Sequence, residues 1–245
     1  MSDGSEANET ITVAAIGDLH VTETSEHPYR ELFAEISEKA DVLVLCGDLT
    51  NFGKTREAEI LAEDLRAATI PVLGVLGNHD HECGQPEKVT EILCQAGMKV
   101  LDEQAIVVEG VGFAGTKGFI GGFGRGELAP FGEREIKAFV DIAANEARKL
   151  ENGLRSLRTE RSIAVLHYSP VADTLAGEPI EIFPYLGSAR LADAIDRFDH
   201  VKAVVHGHAH HGTYAGRTRA GIPVYNCAQF VVRPAFGRPY ALLEV

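Results

Sequence analysis

The stretch Ile70-Pro71-Val72-Leu73-Gly74-Val75-Leu76-Gly77-Asn78-His79-Asp80 decides how the rest of the chain is read. It is an apolar run that stops at a glycine and three polar residues. Short apolar runs bounded by turn residues suit a strand covered on both faces. In an open α/β sheet such a strand delivers its tip to the crevice where ligands bind. This tip carries an amide, an imidazole and a carboxylate in succession. Taken alone it also reads as an ordinary turn, because Gly-Asn is a common turn pair.

Two earlier stretches repeat the pattern. Residues 11–16 form an apolar run that ends at Gly17 and continues as Asp18-Leu19-His20. In extended chain, residues i and i+2 point to the same side. Asp18 and His20 are then either a pair of metal ligands or a hydrogen-bonded Asp–His pair. Residues 41–46 are a second apolar run, ending in Gly47-Asp48. Between the runs lie helical patterns. Leu32, Phe33 and Ile36 mark one over residues 29–40. Ile60, Leu61 and Leu65 mark another over residues 55–68, with Thr55 as its N-cap. Alternation of strand and helix implies a parallel sheet with right-handed crossovers. Three strands that each end in glycine and a ligand-type residue at one sheet edge point to a site.

Downstream the pattern changes. A helix over 86–95 has proline in its first turn and Gly97 just past its end. Short strands at 99–101, 105–108 and 111–114 follow, with Gly110 turning the last two into a hairpin. They suggest a second sheet. Residues 115–126 are rich in glycine but lack the phosphate-loop order. They read as a flexible surface loop or as a mobile rim carrying Lys117 and Arg125 toward an anion. Residues 133–157 read as one long charged helix or a pair broken near Gly153. Ile136, Phe139, Val140, Ile142 and Ala143 supply its buried face. A strand over 161–166 runs into His167, and residues 171–187 have no period and read as a loop. Ser188 caps a helix that reaches about Phe198. A strand over 201–205 runs into His206-Gly207-His208-Ala209-His210-His211-Gly212, and further strands lie near 222–225 and 240–245.

Whole-chain properties exclude several classes. The 245 residues, 45% hydrophobic and 24% charged, suffice for one domain over 11–245, preceded by a polar, acidic, disordered tail over 1–10. No apolar run reaches the ~18–20 residues of a membrane span. The net charge of −13 argues against non-specific nucleic-acid binding, which rests on Lys and Arg. Cys46, Cys83, Cys94 and Cys227 lack C-x-x-C spacing and read as reduced thiols, consistent with a cytoplasmic protein. A homo-oligomer is compatible with all of this.

The set Asp18-x-His20, Gly47-Asp48, Gly77-Asn78-His79-Asp80, His167 and Gly207-His208-x-His210 resembles the five-block signature of the calcineurin-like metallophosphoesterases, in the family's order. The resemblance implies a four-layer αββα sandwich of two mixed β-sheets flanked by helices, an α/β fold. It implies two divalent metal ions, Mn, Fe or Zn. Asp18, His20, Asp48 and His210 would hold the first, and Asn78, His167 and His208 the second, with Asp48 bridging. A carboxylate can join two cations ~3.5–4 Å apart, and such a pair clamps a phosphoryl group and activates water. His79 matches the family's non-ligand histidine, which protonates the leaving oxygen or stabilises developing charge, and Asp80 would orient it. The implied activity is hydrolysis of a phosphodiester or small phosphomonoester by a metal-bound hydroxide. A catalytically silent binding module on the same fold is the alternative. His81, His206 and His211 are expected to support the ligands or to face solvent. The family's late Asn-Pro-Gly-Ser stretch is replaced here by Tyr225-Asn226-Cys227-Ala228.

Overall fold

The computed structural model describes residues 10–245, so the tail expected over 1–10 lies, apart from Thr10, outside the described residues. Strands β1 (Thr12–Ile16), β2 (Val42–Cys46) and β3 (Val72–Val75) pair in parallel, Val13 beside Val42 and Leu43 beside Val72. Helices α1 (Arg30–Ser37) and α2 (Thr55–Leu65) make the crossovers. After α3 (Pro86–Gln95), β4 (Lys99–Val100) joins the free edge of β3, also in parallel.

The second sheet starts with a hairpin of β5 (Ala105–Val108) and β6 (Val111–Thr116). Helix α4 (Arg134–Ser156) leads to β7 (Arg161–Leu166), parallel to β6. Short helix α5 (Phe183–Leu186) and helix α6 (Ala189–Ile195) precede β8 (Val201–His206), parallel to β7. Strands β9 (Ala215–Arg217) and β10 (Pro223–Asn226) complete this sheet, β10 lying parallel to β8. Helix α7 (Gln229–Phe236) leads to β11 (Ala241–Glu244), which returns antiparallel onto β1 in the first sheet.

The side-chain period of a strand explains the stacking. Val13, Ala15, Val42, Val44 and Val75 meet Phe113, Ile163, Val165 and Val205 between the two sheets. The alternate residues Ala14, Ile16, Leu43 and Leu45 meet Phe33, Ile36, Leu61 and Leu65 of the outer helices. On the far side, Ala164, Leu166 and Val204 meet Leu150, Leu154, Leu191 and Ile195. Strands covered on both faces must be apolar throughout, and that is why they read as continuous apolar runs. The result is the four-layer αββα order expected from the resemblance.

Several local expectations are corrected. The strand at Lys99 belongs to the first sheet, because it pairs with β3 rather than with the hairpin that follows. Thr55 is the first helical residue, not the cap; the carboxylate of Glu57 instead accepts the N–H groups of Phe52 at 2.8 Å and Lys54 at 3.3 Å. Helix α4 runs unbroken through Gly153, which faces Ala114 of β6 closely enough that a Cβ would sit 3.1 Å from the alanine methyl. Its buried face is Val140, Ala143, Ala147, Leu150 and Leu154, whereas Ile136 and Ile142 are exposed. Residues 171–187 contain two 3-10 turns and α5. Ser188 does cap α6, accepting from Arg190 N–H at 3.3 Å.

Phe113 has no exposed surface and sits between the sheets. Its replacement by alanine is expected to cost about 3–5 kcal/mol. Ile136→Ala, on the exposed face of α4, should change stability by no more than about 0.5 kcal/mol. Denaturant unfolding of the two variants checks both; comparable losses would overturn the assignment of the buried face.

Candidate metal centre

Parallel pairing puts the C-terminal ends of β1, β2, β3, β7 and β8 at one edge of the sandwich, and the candidate residues stand there. One ligand atom each of Asp18, His20, Asp48 and His210 lie within 4.8 Å of one another, and so do those of Asp48, His167 and His208. Asp48 belongs to both groups. Asn78 joins the second, its Oδ1 lying 2.9 Å from His167 Nε2.

The backbone bends sharply to achieve this. Asp18, His20, Asp48 and His208 have φ of 62°, 48°, 50° and 71°. Left-handed conformations cost of order 1–3 kcal/mol in non-glycine residues and cluster at functional sites. Asp18 and His20 therefore converge through two left-handed residues and not through extended alternation. The neighbouring glycines make room for the carboxylates. A Cβ on Gly77 would overlap the carboxylate of Asp48, and one on Gly207 would stand 2.6 Å from Asp18 Oδ2. Each glycine lies beneath a carboxylate from a different block. This explains why glycine precedes the polar tips, as a close approach between loops.

The hydrogen bonds fix which imidazole atoms carry protons. His167 Nδ1 is 2.9 Å from the carbonyl of Cys46, and His208 Nε2 is 3.2 Å from the carbonyl of Tyr185. A carbonyl only accepts, so these nitrogens donate. The opposite nitrogens, His167 Nε2 and His208 Nδ1, are left as lone pairs. His167 Nε2 then faces Asn78 Oδ1 at 2.9 Å and Asp48 Oδ1 at 3.3 Å. In the first group, the buried His20 Nε2 has no hydrogen-bond partner among the described residues and lies 3.8 Å from Asp48 Oδ2. Burial depresses the pKa of His20 to about 4 and of His208 to about 3, and holds His167 well below the usual range. Burial also pushes the Asp18 carboxyl up to about 6. For His210 burial favours the neutral ring, but the hydrogen bond and charge of Asp18, 3.0 Å away, outweigh it and raise its pKa. In the second group, buried acceptors that face one another without protons are costly unless a cation lies between them. The residues therefore fit two cations, and oxygen with imidazole nitrogen is a donor set suited to divalent transition metals.

His79 stands at the rim. Its backbone N–H donates to Asp48 Oδ1 at 2.9 Å, and its ring Nδ1 lies 2.7 Å from the Asn51 carbonyl. Nε2 thereby faces the cluster, 4.0 Å from Asp48 Oδ2. The expectation that Asp80 orients this ring is corrected. The buried carboxylate of Asp80 accepts instead from Thr50 Oγ1 at 2.6 Å and from the backbone N–H groups of Thr50, Gly77 and Leu49. It ties the β2 and β3 loops together, and burial raises its carboxyl to about 6.

Sequence reading missed the groups that act through backbone atoms, the carbonyls of Asn51, Cys46 and Tyr185. A carbonyl leaves no residue-type signal. It also missed Gln229, whose Nε2 donates to the Asp18 carbonyl at 2.6 Å, and Phe230, whose half-exposed ring packs 4.5 Å from that of His210. Both open α7, a helix with Pro234 in its interior that sequence reading does not assign between the strands near 222–225 and 240–245. His206 is buried between the Gly207 carbonyl at 2.7 Å and Thr174 Oγ1 at 2.9 Å, while His81 and His211 are exposed. Asn226, in the stretch that departs from the family pattern, donates to the Ala209 carbonyl at 2.7 Å and steadies the His208–His210 turn.

The two unassigned loops are joined. Gly121 N–H donates to the Pro184 carbonyl and Gly122 N–H to the Gly187 carbonyl, both at 2.9 Å. Gly121 and Gly122 are buried, so this part of the glycine-rich stretch is packed structure. Lys117 lies under the second group: its carbonyl accepts the N–H groups of His167 and Tyr168. Arg125 is exposed on the turn Gly124–Gly126, and no contact among the described residues ties it to the cluster.

Comparison with known proteins agrees with this geometry. The family description "Calcineurin-like phosphoesterase" matches residues 11–212. A "Probable cyclic nucleotide phosphodiesterase" of Moraxella catarrhalis (strain BBH18) is 35% identical over 85 residues, 31% of each chain. A similarly named protein of Synechococcus sp. is 30% identical over 93 residues, 34% of this chain and 35% of that one. These matches span about a third of either relative. Among solved structures, phosphopantetheinyl hydrolase from Mycobacterium tuberculosis superposes with a TM-score of 0.68 at 13% identity, covering 95% of both chains. A dimetal phosphatase from Danio rerio gives 0.63 at 14% identity, over 95% of this chain and 91% of that one. At such identities the likeness is one of fold. With the family match spanning most of its length, the chain belongs to the calcineurin-like phosphoesterases.

Proposed function

We propose that this chain is a dinuclear-metal phosphoesterase that hydrolyses a phosphodiester or a small phosphomonoester. The carrying observation is the Asp48 carboxylate shared by two groups of potential ligand side chains. Asp18, His20, Asp48 and His210 would hold one divalent cation, and Asp48, Asn78, His167 and His208 the other. When bound, such a pair supplies Lewis acidity toward phosphoryl oxygens and lowers the pKa of coordinated water. The names of the two short-range relatives make nucleotide diesters the first substrates to assay.

The chain's own residues supply the rest. With Nδ1 donating to the Asn51 carbonyl, the imidazolium form of His79 carries its second proton on Nε2, 4.0 Å from Asp48 Oδ2. It can give that proton to the leaving oxygen. The Cys46 and Tyr185 carbonyls hold His167 and His208 in the tautomers that turn lone pairs inward, as outer partners of metal-binding histidines do. Asp80 holds the β3 loop against the β2 loop, so Asn78 and Asp48 keep their relative positions. A silent binding module would not need His79 fixed in this way.

Two outcomes test the reading. Asp48→Asn removes the shared anion. Metal content should fall from two per chain to one or none, and turnover should drop at least ~10²-fold. Elemental analysis with assays of p-nitrophenyl phosphate and bis-p-nitrophenyl phosphate measures both, and a fully active two-metal variant would sink the proposal. For His79→Ala the metals should remain, while kcat with an alkyl leaving group falls by roughly 10²–10⁴-fold. A p-nitrophenolate leaving group should suffer far less, since it needs little protonation; equal losses would remove the proton-donor role.

A further inference from the structure

A cavity of about 360 Å³ opens beside the turn that carries Asn78 and His79. Leu76, at the end of β3, forms one wall, and Val100 and Leu101 another. Thr90 of α3, His81 and Lys117 supply polar groups. The cavity shares its frame with the metal centre. Leu76 immediately precedes Gly77-Asn78, and the Lys117 carbonyl holds the His167 N–H. Its walls are mainly apolar, so its selectivity rests on the charges that remain uncommitted.

Most of those charges are committed. Lys149 pairs with Asp102 and with Glu146, each at 3.0 Å. Glu146 also accepts from Thr116 Oγ1 at 2.5 Å and from Gly118 N–H at 3.0 Å. Glu87 is exposed at the rim. Lys117 differs. Its ammonium has three donors but, among the described residues, one acceptor, the Gly118 carbonyl at 3.0 Å, and no carboxylate partner. Its nitrogen lies 5.0 Å and 5.2 Å from the ring centres of Phe119 and Tyr168. A half-buried ammonium with spare donors at an apolar cavity is built to receive an anionic oxygen.

We propose that this cavity seats the organic arm of the phosphoester, and that Lys117 selects arms ending in an anionic oxygen, a carboxylate or a phosphate. The inference rests on the phosphoesterase reading for its substrate, so binding and turnover are measured separately. Three aryl esters with similar leaving groups serve for turnover: phenyl phosphate, p-carboxymethylphenyl phosphate and p-aminomethylphenyl phosphate. The carboxymethyl ester should exceed the aminomethyl ester in kcat/KM by about tenfold to a hundredfold, the range of a hydrogen bond to a charged group. That ratio should collapse in Lys117→Met and persist in Lys117→Arg. Thr90→Phe, which fills the cavity from α3, should reduce it without altering Lys117. Binding is read by calorimetric titration of the metal-loaded protein with p-hydroxyphenylacetate, the leaving alcohol. Binding in wild type and Lys117→Arg, lost in Lys117→Met and Thr90→Phe, supports the site even if no ester is hydrolysed, in which case the phosphoesterase reading fails alone. Equal binding in all four proteins, no binding in wild type, or no preference for the carboxymethyl ester over the aminomethyl ester among hydrolysed substrates overturns it.

Discussion

The carboxylate of Asp48 is the point on which the two halves of the structure meet. It leaves β2 in the first sheet, accepts the His79 N–H at 2.9 Å, and comes within 3.3 Å of His167 from the second sheet. It also faces the unpartnered Nε2 of His20. Beyond the His79 N–H, this buried carboxylate faces imidazoles that burial keeps neutral, a setting that a cation would stabilise. The fold presents two groupings suited to cations, and the backbone around Asp48 keeps them in place.

That maintenance has a visible cost. Four of the candidate ligand residues sit in left-handed backbone conformations, and each would relax if the loops separated. They are held by packing between loops, with Gly77 beneath Asp48 and Gly207 beneath Asp18. Asp80 adds three acceptor contacts from the β3 loop to the β2 loop and a fourth within its own loop. Strain at a site persists where the surroundings over-determine the geometry. The surroundings here are two sheets whose shared apolar interior sets their separation.

The same packing shapes the site's rim. The glycine-rich stretch and the 171–187 segment, which look independent along the chain, bond to each other. Through the Tyr185 carbonyl they orient His208. Lys117 is carried on the strand pair that also carries His167, so a cavity for the organic part of a substrate and the donor cluster are built from the same strand ends. Changes of specificity can then arise from residues on α3 or the β4 loop without touching a donor.

The fold was legible wherever a physical rule acts locally. Apolar runs of strand length, glycines at their ends and helical spacing between them indicate a parallel sheet, and the ordered donor residues indicate the cluster, because these patterns reside in residue type and spacing. What could not be read is what non-neighbouring backbone decides. Pairing of Lys99 with β3 depends on which sheet edge is free, and the exposure of Ile136 and Ile142 on the orientation of α4. The role of Asp80 depends on which N–H groups the β2 loop presents to it. The Asn51, Cys46 and Tyr185 carbonyls are common to every residue type and leave no trace in sequence. By itself, then, the sequence indicated, through its family resemblance, which residues cluster, and by its apolar runs the strands that carry them. The tertiary structure alone decided the proton positions on the histidines, the orientation of His79 and the cavity beside Lys117, because each arises from contacts between segments far apart along the chain.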